Sequence, residues 1–414
     1  MNKLIFITLL GLLPCRLPAQ EFSTAAMKPI TLGEAYTLAL DRSEQLARQA
    51  EGIKQLEAAE RLFNSAFRPV FSANASQSKQ QNYASVTKGY LSGSYSLFSG
   101  LRDLISLKAA AARTAAAGQD LARARQQLYL DVAQAYLGLQ AAQREALIRR
   151  EQFDVTGRRI AELQARVEIG RSRKSETVAA RTQLAQDKAG YLDAAAAERL
   201  SQQALKFLTG LEPDLVPEPL PVRKDAGLDA YLKAALSRPD LAAKRKTLQA
   251  SGYLLDMQDR NLRPTVTVSA DYYVLRRPMP VPASRWDAAV AVNVPLYNGG
   301  YAQAQRQSAY SEKRSAELDL QLAERQALTE VRSAYEEFKY ALLRSASLEE
   351  ALALAADNAD YQQEDYKLGL VNNLDVLSAL RTMQDTRLAL SQARIRAIGA
   401  QLKLENASGT GIPQ

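Results

Sequence analysis

The sequence contains no histidine, and its 414 residues include a single cysteine, Cys15. Nucleophilic and acid–base sites commonly use histidine or cysteine, and zinc sites use both, so this composition excludes the commonest catalytic and metal centres. No phosphate-binding loop is present either. The adjacent carboxylates Glu336-Glu337 lie in a helical pattern, where neighbouring residues point in different directions. We therefore predict that the protein is not an enzyme and has no cofactor or metal.

Long apolar runs are absent after the first residues. The run at 4–13 is too short for a transmembrane helix, which needs about 20 apolar residues. It follows a basic N-terminus and precedes the small residue Ala19, which predicts a secretory signal peptide over residues 1–19. A lipoprotein signal at Cys15 is disfavoured, because that processing favours a small residue where Pro14 stands. We expect an exported protein that is periplasmic, secreted or in the outer membrane.

The net charge of +8 is not concentrated in any one segment. Lysine and arginine are interleaved with aspartate and glutamate along the predicted helices. Such mixing is typical of solvated helix faces, whereas nucleic-acid binding requires a clustered basic surface. We therefore predict no nucleic-acid partner.

Glycine and proline are missing from residues 301–368. Apolar residues recur there in steps of three and four, as at Val331 and Tyr335, and this spacing places them on one face of a helix. At about 1.5 Å per residue the helix would be roughly 100 Å long, several times the width of a small domain. Residues 101–169 carry the same spacing of apolar residues, with Val132 standing 199 positions before Val331 (331 − 132). We predict two very long helices.

The whole chain repeats itself once. Matching positions recur at an offset of 199 (369 − 170) or 195 (264 − 69): Gly170 and Gly369, Gly210 and Gly409, Arg68-Pro69 and Arg263-Pro264. Such an offset indicates an internal duplication. We predict a first repeat over 20–210, a proline-rich connector over 211–226 and a second repeat over 227–414. The predicted elements are a helix (31–67), a β-hairpin (70–98), a very long helix (101–169) and a helix (175–208), with counterparts at 228–262, 265–297, 301–368 and 372–406.

The two predicted hairpins alternate apolar or small residues with polar ones, as in Leu91-Ser92-Gly93-Ser94. Strands of about nine residues cross a bilayer when tilted. Four strands cannot close a barrel, because the smallest membrane barrels have about eight, and open edges are not tolerated in lipid. Several chains must therefore pool their strands, so that two copies would give about eight and three about twelve. A soluble pair of hairpins is disfavoured, because nothing else in the chain would cover it.

Aromatic side chains lie near the predicted strand ends, where a membrane protein meets the lipid headgroups. We interpret them as membrane-interface residues in contact with outer-membrane lipid. They are Tyr90, Tyr95, Phe98, Tyr272, Tyr273, Trp286 and Tyr297.

The duplicated layout resembles the outer-membrane efflux protein (TolC-like) family over essentially the whole mature chain. The matching motifs are Arg238-Pro239-Asp240-Leu241, Val294-Pro295-Leu296-Tyr297-Asn298-Gly299-Gly300, and Tyr366-Lys367-Leu368-Gly369-Leu370 followed by Leu374-Asp375-Val376-Leu377. The resemblance implies a fold that is mainly α with membrane β: a homotrimer with a twelve-stranded β-barrel in the outer membrane and a long α-helical barrel in the periplasm. It also implies a periplasmic adaptor (membrane fusion protein) and an inner-membrane transporter as partners.

The resemblance further implies roles for the residues around the two interhelical turns. The turns at Gly170, Arg171, Gly369 and Leu370 would dock the adaptor. The channel gate would comprise Glu176, Tyr366, Asp375 and Ser378, with Asp375 in an acidic ring that faces the lumen. From the residues alone, a carboxylate that favours a helix N-terminus explains Glu176 and Asp375 equally well. Where better-known members have an arginine two residues after the turn glycine, this chain has Val371, so the bonds that hold its gate differ.

Three functions are compatible with this layout. The leading one is an export channel for drugs and other small molecules, as the exit duct of a tripartite efflux system. A type I protein-secretion duct shares the same architecture. The alternative from a different class is a periplasmic coiled-coil adaptor or scaffold without a membrane barrel, which predicts one helical hairpin where this chain has a duplication with two strand pairs.

Overall fold

The structure, a computed structural model, describes residues 29–82, 84–170, 172–211, 216–277 and 284–411. The predicted signal peptide, Cys15 and Arg171 lie outside these residues. Two very long helices dominate the described part, one of 67 residues and one of 68, so each is about 100 Å long. Among the described residues, no helix combines the length and apolar character needed to cross a membrane.

The described residues form eight helices and six strands, and one of these strands lies in the connector between the repeats. The helices are α1 (Leu32–Arg42), α2 (Glu44–Ser65), α3 (Arg102–Glu168), α4 (Lys174–Thr209), α5 (Leu228–Ala235), α6 (Pro239–Gln258), α7 (Tyr301–Leu368) and α8 (Asn373–Ser408). The strands are β1 (Pro29–Ile30), β2 (Val70–Ser78), β3 (Val86–Phe98), β4 (Val216–Pro217), β5 (Thr265–Arg277) and β6 (Trp286–Asn293).

The first helix of each repeat is broken, where the sequence pattern predicted one continuous helix over 31–67 and another over 228–262. The break in the first repeat falls at Ser43, whose side chain accepts a hydrogen bond from the backbone N–H of Leu46 and caps α2. The break in the second falls at Arg238, because Pro239 at the first position of α6 disfavours a helical residue before it. The two breaks are 195 residues apart (238 − 43), as the duplication requires.

The two hairpins join into one four-stranded antiparallel sheet with the order β2-β3-β5-β6. The contact between β3 and β5 therefore links the two repeats. Aligned rows show the two faces of the sheet: Phe71, Gly93, Ala270 and Ala288 share an apolar face, and Ser72, Ser92, Asp271 and Asp287 share a polar one. The predicted second hairpin extended to 297, but β6 ends at Asn293, two residues before Pro295, which lacks the N–H that a ladder needs.

Helices α6 and α8 lie end to end along α3. Near the sheet, the Ser106 hydroxyl of α3 lies 3.0 Å from the Met257 sulfur of α6. About a third of the way along, Arg123 of α3 donates to the backbone carbonyl of Asn406 in α8 at 2.8 Å, and near the far end Arg159 donates to the Asn373 side chain. Helix α7 packs against the same two helices. The short helices thus complete a wall between the two long ones.

Tyr136 of α3 fastens the start of the described chain to the connector between the repeats. Strands β1 and β4 pair in parallel above it, and its hydroxyl lies 2.8 Å from the carbonyl oxygens of both Ile30 and Glu218. The ring is fully buried. Burial raises the pKa of Tyr136 to about 12, because the phenolate would lose its hydration.

Replacing Tyr136 with phenylalanine should lower stability by about 1–2 kcal/mol, because the carbonyl oxygens of Ile30 and Glu218 lose the single hydroxyl proton that lies between them, while the ring still fills its space. Thermal unfolding of the purified protein measures the change. Tyr129→Phe is the control, since Tyr129 is equally buried on the same helix and its hydroxyl makes no hydrogen bond with a described residue. An equal effect of both substitutions would contradict the role of the Tyr136 hydroxyl.

Candidate functional site

The turns α3–α4 and α7–α8 lie at the same end of the wall, the end remote from the sheet. Gly170 and Gly369 adopt positive φ angles of 76° and 79°, which a residue with a side chain rarely adopts. After Gly369, the N–H of Leu370 donates to the carbonyl of Asp365 at 2.9 Å, the long bond of a Schellman motif. Both turns therefore reverse the chain within a few residues and bring the second helix of each pair back along the first.

Large apolar side chains are exposed around these turns. Most of the surface of each is in contact with solvent, which is unusual for so many apolar residues at one end of a molecule. They are Ile169, Val178, Leu368, Leu370 and Leu374. Gly170, Gly369 and Leu370 were predicted here from the sequence, whereas the apolar surface was not. Arg171, predicted with them, lies outside the described residues.

The acidic gate candidates lie at the first turns of the returning helices. Asp375 accepts the backbone N–H of Asn372 at 3.2 Å, and the Asn372 side chain accepts the N–H groups of Leu374 and Asp375, so the two residues form a capping box. Glu176 accepts the Ser172 hydroxyl at 2.9 Å. The structure thus supports the explanation of Asp375 as a carboxylate that caps a helix N-terminus. Asp375 is nevertheless exposed on one face of α8, three residues before the exposed Ser378.

Tyr366 lies in a different environment from the other gate candidates. Its side chain is buried, with 7% of its surface exposed, and it packs with apolar residues of both repeats. The guanidinium carbons of Arg159 and Arg166, both from α3, lie 4.4 and 4.6 Å from the centre of its ring. Arg159 also donates to the Asn373 side chain at 2.9 Å. Two arginines of the first repeat therefore hold a tyrosine and an asparagine of the second, and we call these four residues the tyrosine clamp.

The tyrosine clamp is incompletely bonded. Arg159 Nη2 and Asn373 Nδ2 are both buried, and neither has a hydrogen-bond acceptor among the described residues. A buried donor without an acceptor typically costs about 1–3 kcal/mol. Separation of the helices would let water reach both groups, so the clamp resists that separation by less than its stacking contacts alone would.

Sequence reasoning named Tyr366 but missed its partners. Arg159 and Arg166 are seven residues apart, a spacing that places both on one face of α3, and this was the available signal. Better-known members of the family have an arginine two residues after the turn glycine, where this chain has Val371. Val371 packs against the same apolar residues as Tyr366, and the positive charge comes from the other repeat.

The predicted interface aromatics fall on both faces of the sheet. Tyr90 aligns with Tyr273, with ring centres 5.4 Å apart, on the face that also carries Ser92. Tyr95 and Trp286 lie on the apolar face. Tyr272 and Phe98 also align with residues of that face, and Tyr297 lies beyond the end of β6 with its side chain exposed.

A second polar site joins the helices where the start of α6 meets the end of α8, at the motif Arg238-Pro239-Asp240-Leu241. The Arg238 side chain forms two hydrogen bonds with Asp240, at 3.0 and 2.7 Å. It also donates to Glu330 of α7 at 2.7 Å and to the carbonyl of Ala407 at 3.0 Å. Only 4% of Arg238 is exposed. The motif therefore fixes the start of α6 to α7 and to the end of α8.

Gly409, which ends α8, lies directly beneath Arg238. A β-carbon at this position would lie 3.0 Å from Arg238 Cγ, and the φ angle of Gly409 is 80°. The first repeat has a similar arrangement, because a β-carbon on Gly210 would collide with the guanidinium of Arg42. Glycine at both helix ends thus leaves room for an arginine from the neighbouring helix break.

A family model described as outer membrane efflux protein matches residues 35–211 and 230–410 of this chain. The two matched segments correspond closely to the two repeats. A curated relative, the outer membrane efflux protein BepC of Brucella suis biovar 1 (strain 1330), is 24% identical over 321 residues, which cover 76% of this chain and 70% of the relative.

Solved structures show the same fold. CusC superposes with a TM-score of 0.84 at 19% identity, covering 93% of each chain, and its structures concern folding and transmembrane channel formation. The outer membrane protein VceC from Vibrio cholerae superposes with a TM-score of 0.81 at 22% identity, covering 92% of this chain and 97% of VceC.

Proposed function

This chain belongs to the outer membrane efflux protein family, whose members are channels of the Gram-negative outer membrane and not enzymes, and from this premise we propose that it is the exit duct of a tripartite export system. In this role it carries small toxic molecules such as drugs, or proteins, from an inner-membrane transporter to the outside. The family membership excludes the adaptor-or-scaffold alternative. The finer assignments below are our proposals.

The observation that carries the proposal is the four-stranded sheet. Strands β2 and β6 each have one edge without a partner among the described residues, and one face of the sheet is apolar. Lipid does not tolerate unpaired backbone groups, so the edges must be paired by other copies. Three copies would supply about twelve strands, enough to close a barrel with the polar face toward the lumen. The duct is therefore a homotrimer in this proposal.

The exposed apolar surface around the interhelical turns supports a docking role. A soluble end of the molecule would gain nothing from exposing Ile169, Leu368 and Leu370 to water, whereas a partner would cover them. We assign this end to the periplasmic adaptor, which links the duct to its transporter. The turn glycines Gly170 and Gly369 hold the apolar side chains at the extreme end.

The tyrosine clamp supports a gate at the same end. It joins the first repeat to the second, so in a ring of three chains it would fix the two helix pairs of each protomer side by side. Asp375 and Ser378 lie on an exposed face of α8 nearby and would line the lumen, with Glu176 as the first-repeat counterpart of Asp375. Adaptor binding would separate the clamp and widen the opening.

The first test is membrane fractionation, followed by electrophoresis of the outer-membrane pool with and without heating. We expect a band of trimer size in the unheated sample that becomes monomeric on strong heating. A soluble periplasmic monomer would overturn the proposal.

Two adjacent positions of β2 test the assignment of the faces. Ala73→Arg places a charge on the apolar face, where it should cost about 2–4 kcal/mol per copy at mid-membrane, and should abolish the trimer band. Ser72→Arg, on the polar face, is the matched control and should leave the band intact. The opposite result would mean that the faces are reversed.

A further inference from the structure

A small cavity of about 20 Å³ lies where α3, α4 and α8 meet, roughly 20 Å along α4 from the interhelical turns. This volume is enough for one water molecule or one ion without its hydration shell. The polar side chains that line it come from all three helices. They are Gln152 and Thr156 of α3, Gln183 and Asp187 of α4, and Arg381 and Gln384 of α8.

Asp187 places a buried negative charge at this cavity. Only 5% of the residue is exposed. Its carboxylate accepts hydrogen bonds from Gln152 at 2.9 Å, Gln183 at 2.9 Å and Thr156 at 2.6 Å. Three donors on one carboxyl group match the ionised form, which only accepts. All three donors are neutral. The Arg149 guanidinium donates to Gln152 Oε1 at 3.2 Å but forms no ion pair with the Asp187 carboxylate, so the charge is solvated without a direct counter-charge.

The basic residue of the lining does not supply the missing positive charge. The Arg381 side chain is 59% exposed, and its Nε atom lies 3.7 Å from the carboxylate of Asp385, one turn further along α8. No ion pair joins Arg381 or any other described residue to Asp187. A buried carboxylate whose hydrogen bonds all come from neutral groups keeps part of its desolvation cost, which a counter-charge at the cavity would offset.

Gln384 provides a second and independent indication of a ligand. The residue is 7% exposed, and its Oε1 atom is buried without a hydrogen-bond donor among the described residues. Most buried polar atoms in proteins have a partner. A carbonyl oxygen and a carboxylate therefore border the same cavity, and both are acceptors that a cation would satisfy.

We propose that the cavity binds one monovalent metal cation, sodium or potassium, between the Asp187 carboxylate and the Gln384 amide oxygen. One carboxylate balances one positive charge, whereas calcium and magnesium sites use several oxygen ligands that include more carboxylates. The described residues contain no group of three or more acidic, cysteine or histidine side chains that could hold a divalent ion. A water molecule would satisfy Gln384 but would leave the charge of Asp187 unbalanced.

The site has a structural consequence that does not depend on the proposed trimer, because all its ligands lie in one chain. Asp187 belongs to the first repeat and Gln384 to the second. A cation between them would tie α4 to α8 above the tyrosine clamp. Removal of the ion would loosen the contact between the two repeats.

Thermal unfolding of the purified full-length protein tests the proposal, in sodium, potassium or N-methylglucamine chloride at one ionic strength. The large organic cation cannot enter a cavity of about 20 Å³. We expect the unfolding temperature to be higher in a small cation by about 2–4 °C, and the gain to saturate with concentration. Asp187→Asn and Gln384→Leu should abolish the difference, and the exposed controls Asp193→Asn and Gln392→Leu should retain it.

Crystals grown in rubidium or thallium(I) chloride provide a measurement that needs no variant. An anomalous peak between Asp187 and Gln384 would support the site. Equal unfolding temperatures in all three salts, or a cation effect that persists in Asp187→Asn, would overturn it and leave a cavity that holds only water. Absence of the anomalous peak would overturn it as well.

Discussion

Tyr366→Ala is expected to open the channel at rest. The substitution removes the ring against which both Arg159 and Arg166 stack, and it leaves a gap between the two repeats. Each cation–π contact contributes about 0.5–2 kcal/mol, depending on how far it is desolvated. Loss of about 2–3 kcal/mol from the closed state would shift the ratio of closed to open channels by about 30–150-fold.

Conductance of the purified protein in planar bilayers measures this shift directly. Tyr366→Phe keeps the aromatic face and should behave like the native protein, because the Tyr366 hydroxyl has no hydrogen-bond partner among the described residues. Tyr361→Ala removes an exposed ring from the same helix and should have no effect. If Tyr366→Ala remains as closed as the native channel, the tyrosine clamp is a packing contact and not a gate.

Arg238→Met is expected to lower the unfolding temperature by about 2–4 °C, corresponding to about 2–3 kcal/mol in a chain of 414 residues. Methionine keeps most of the packing of the arginine stem but removes all its donors. Asp240 and Glu330 then lose their partner, and so does the carbonyl of Ala407. The estimate is below that for a fully buried ion pair, because the two carboxylates are partly exposed and can regain water.

The effect of Arg238→Met should depend on pH. Burial alone would raise the pKa of Asp240, but hydrogen bonds with Arg238 and its positive charge outweigh burial and hold the pKa below its usual value. A depressed folded-state pKa stabilises the protein above the unfolded-state value of about 3.9, and this contribution is lost as the pH falls through the folded-state pKa. The difference in unfolding temperature between native and variant should therefore shrink below about pH 4.

The matched control for this experiment is Arg245→Met on the same helix. Arg245 forms an exposed ion pair with Glu324 at 3.0 Å, and exposed pairs typically contribute about 0–1 kcal/mol. A similar loss of stability for both variants would show that the motif Arg238-Pro239-Asp240-Leu241 has no special role in joining the helices.

The architecture could be predicted from the sequence because the duplicated turn glycines, helix bounds and strand alternation do not depend on packing. Gly170 and Gly369 occupy left-handed turns, and each very long helix begins and ends within a few residues of its predicted bounds. The alternation in the strands also predicted the two faces of the sheet. These features follow from local backbone preferences, which a single sequence expresses directly.

Contacts between residues that are distant in the sequence could not be predicted from such local preferences. Arg159 and Tyr366 are separated by more than two hundred positions, and nothing local distinguishes Arg159 from the many arginines on solvated helix faces. Asp187 was likewise one acidic residue among 45. Its burial depends on Gln152 and Thr156, one turn apart on another helix, whose donors become partners only after α3 and α4 pack.

The unequal lengths of the strands bear on how the protein matures. The two inner strands, β3 and β5, have 13 residues each, whereas the outer strands β2 and β6 have nine and eight. The long β3–β5 ladder therefore lies within one chain, and the two short outer strands carry the edges that other copies would pair. Unpaired strand edges in water are templates for wrong pairing and aggregation. In the proposed trimer these edges pair with those of neighbouring copies, so the unassembled chain is the species exposed to aggregation.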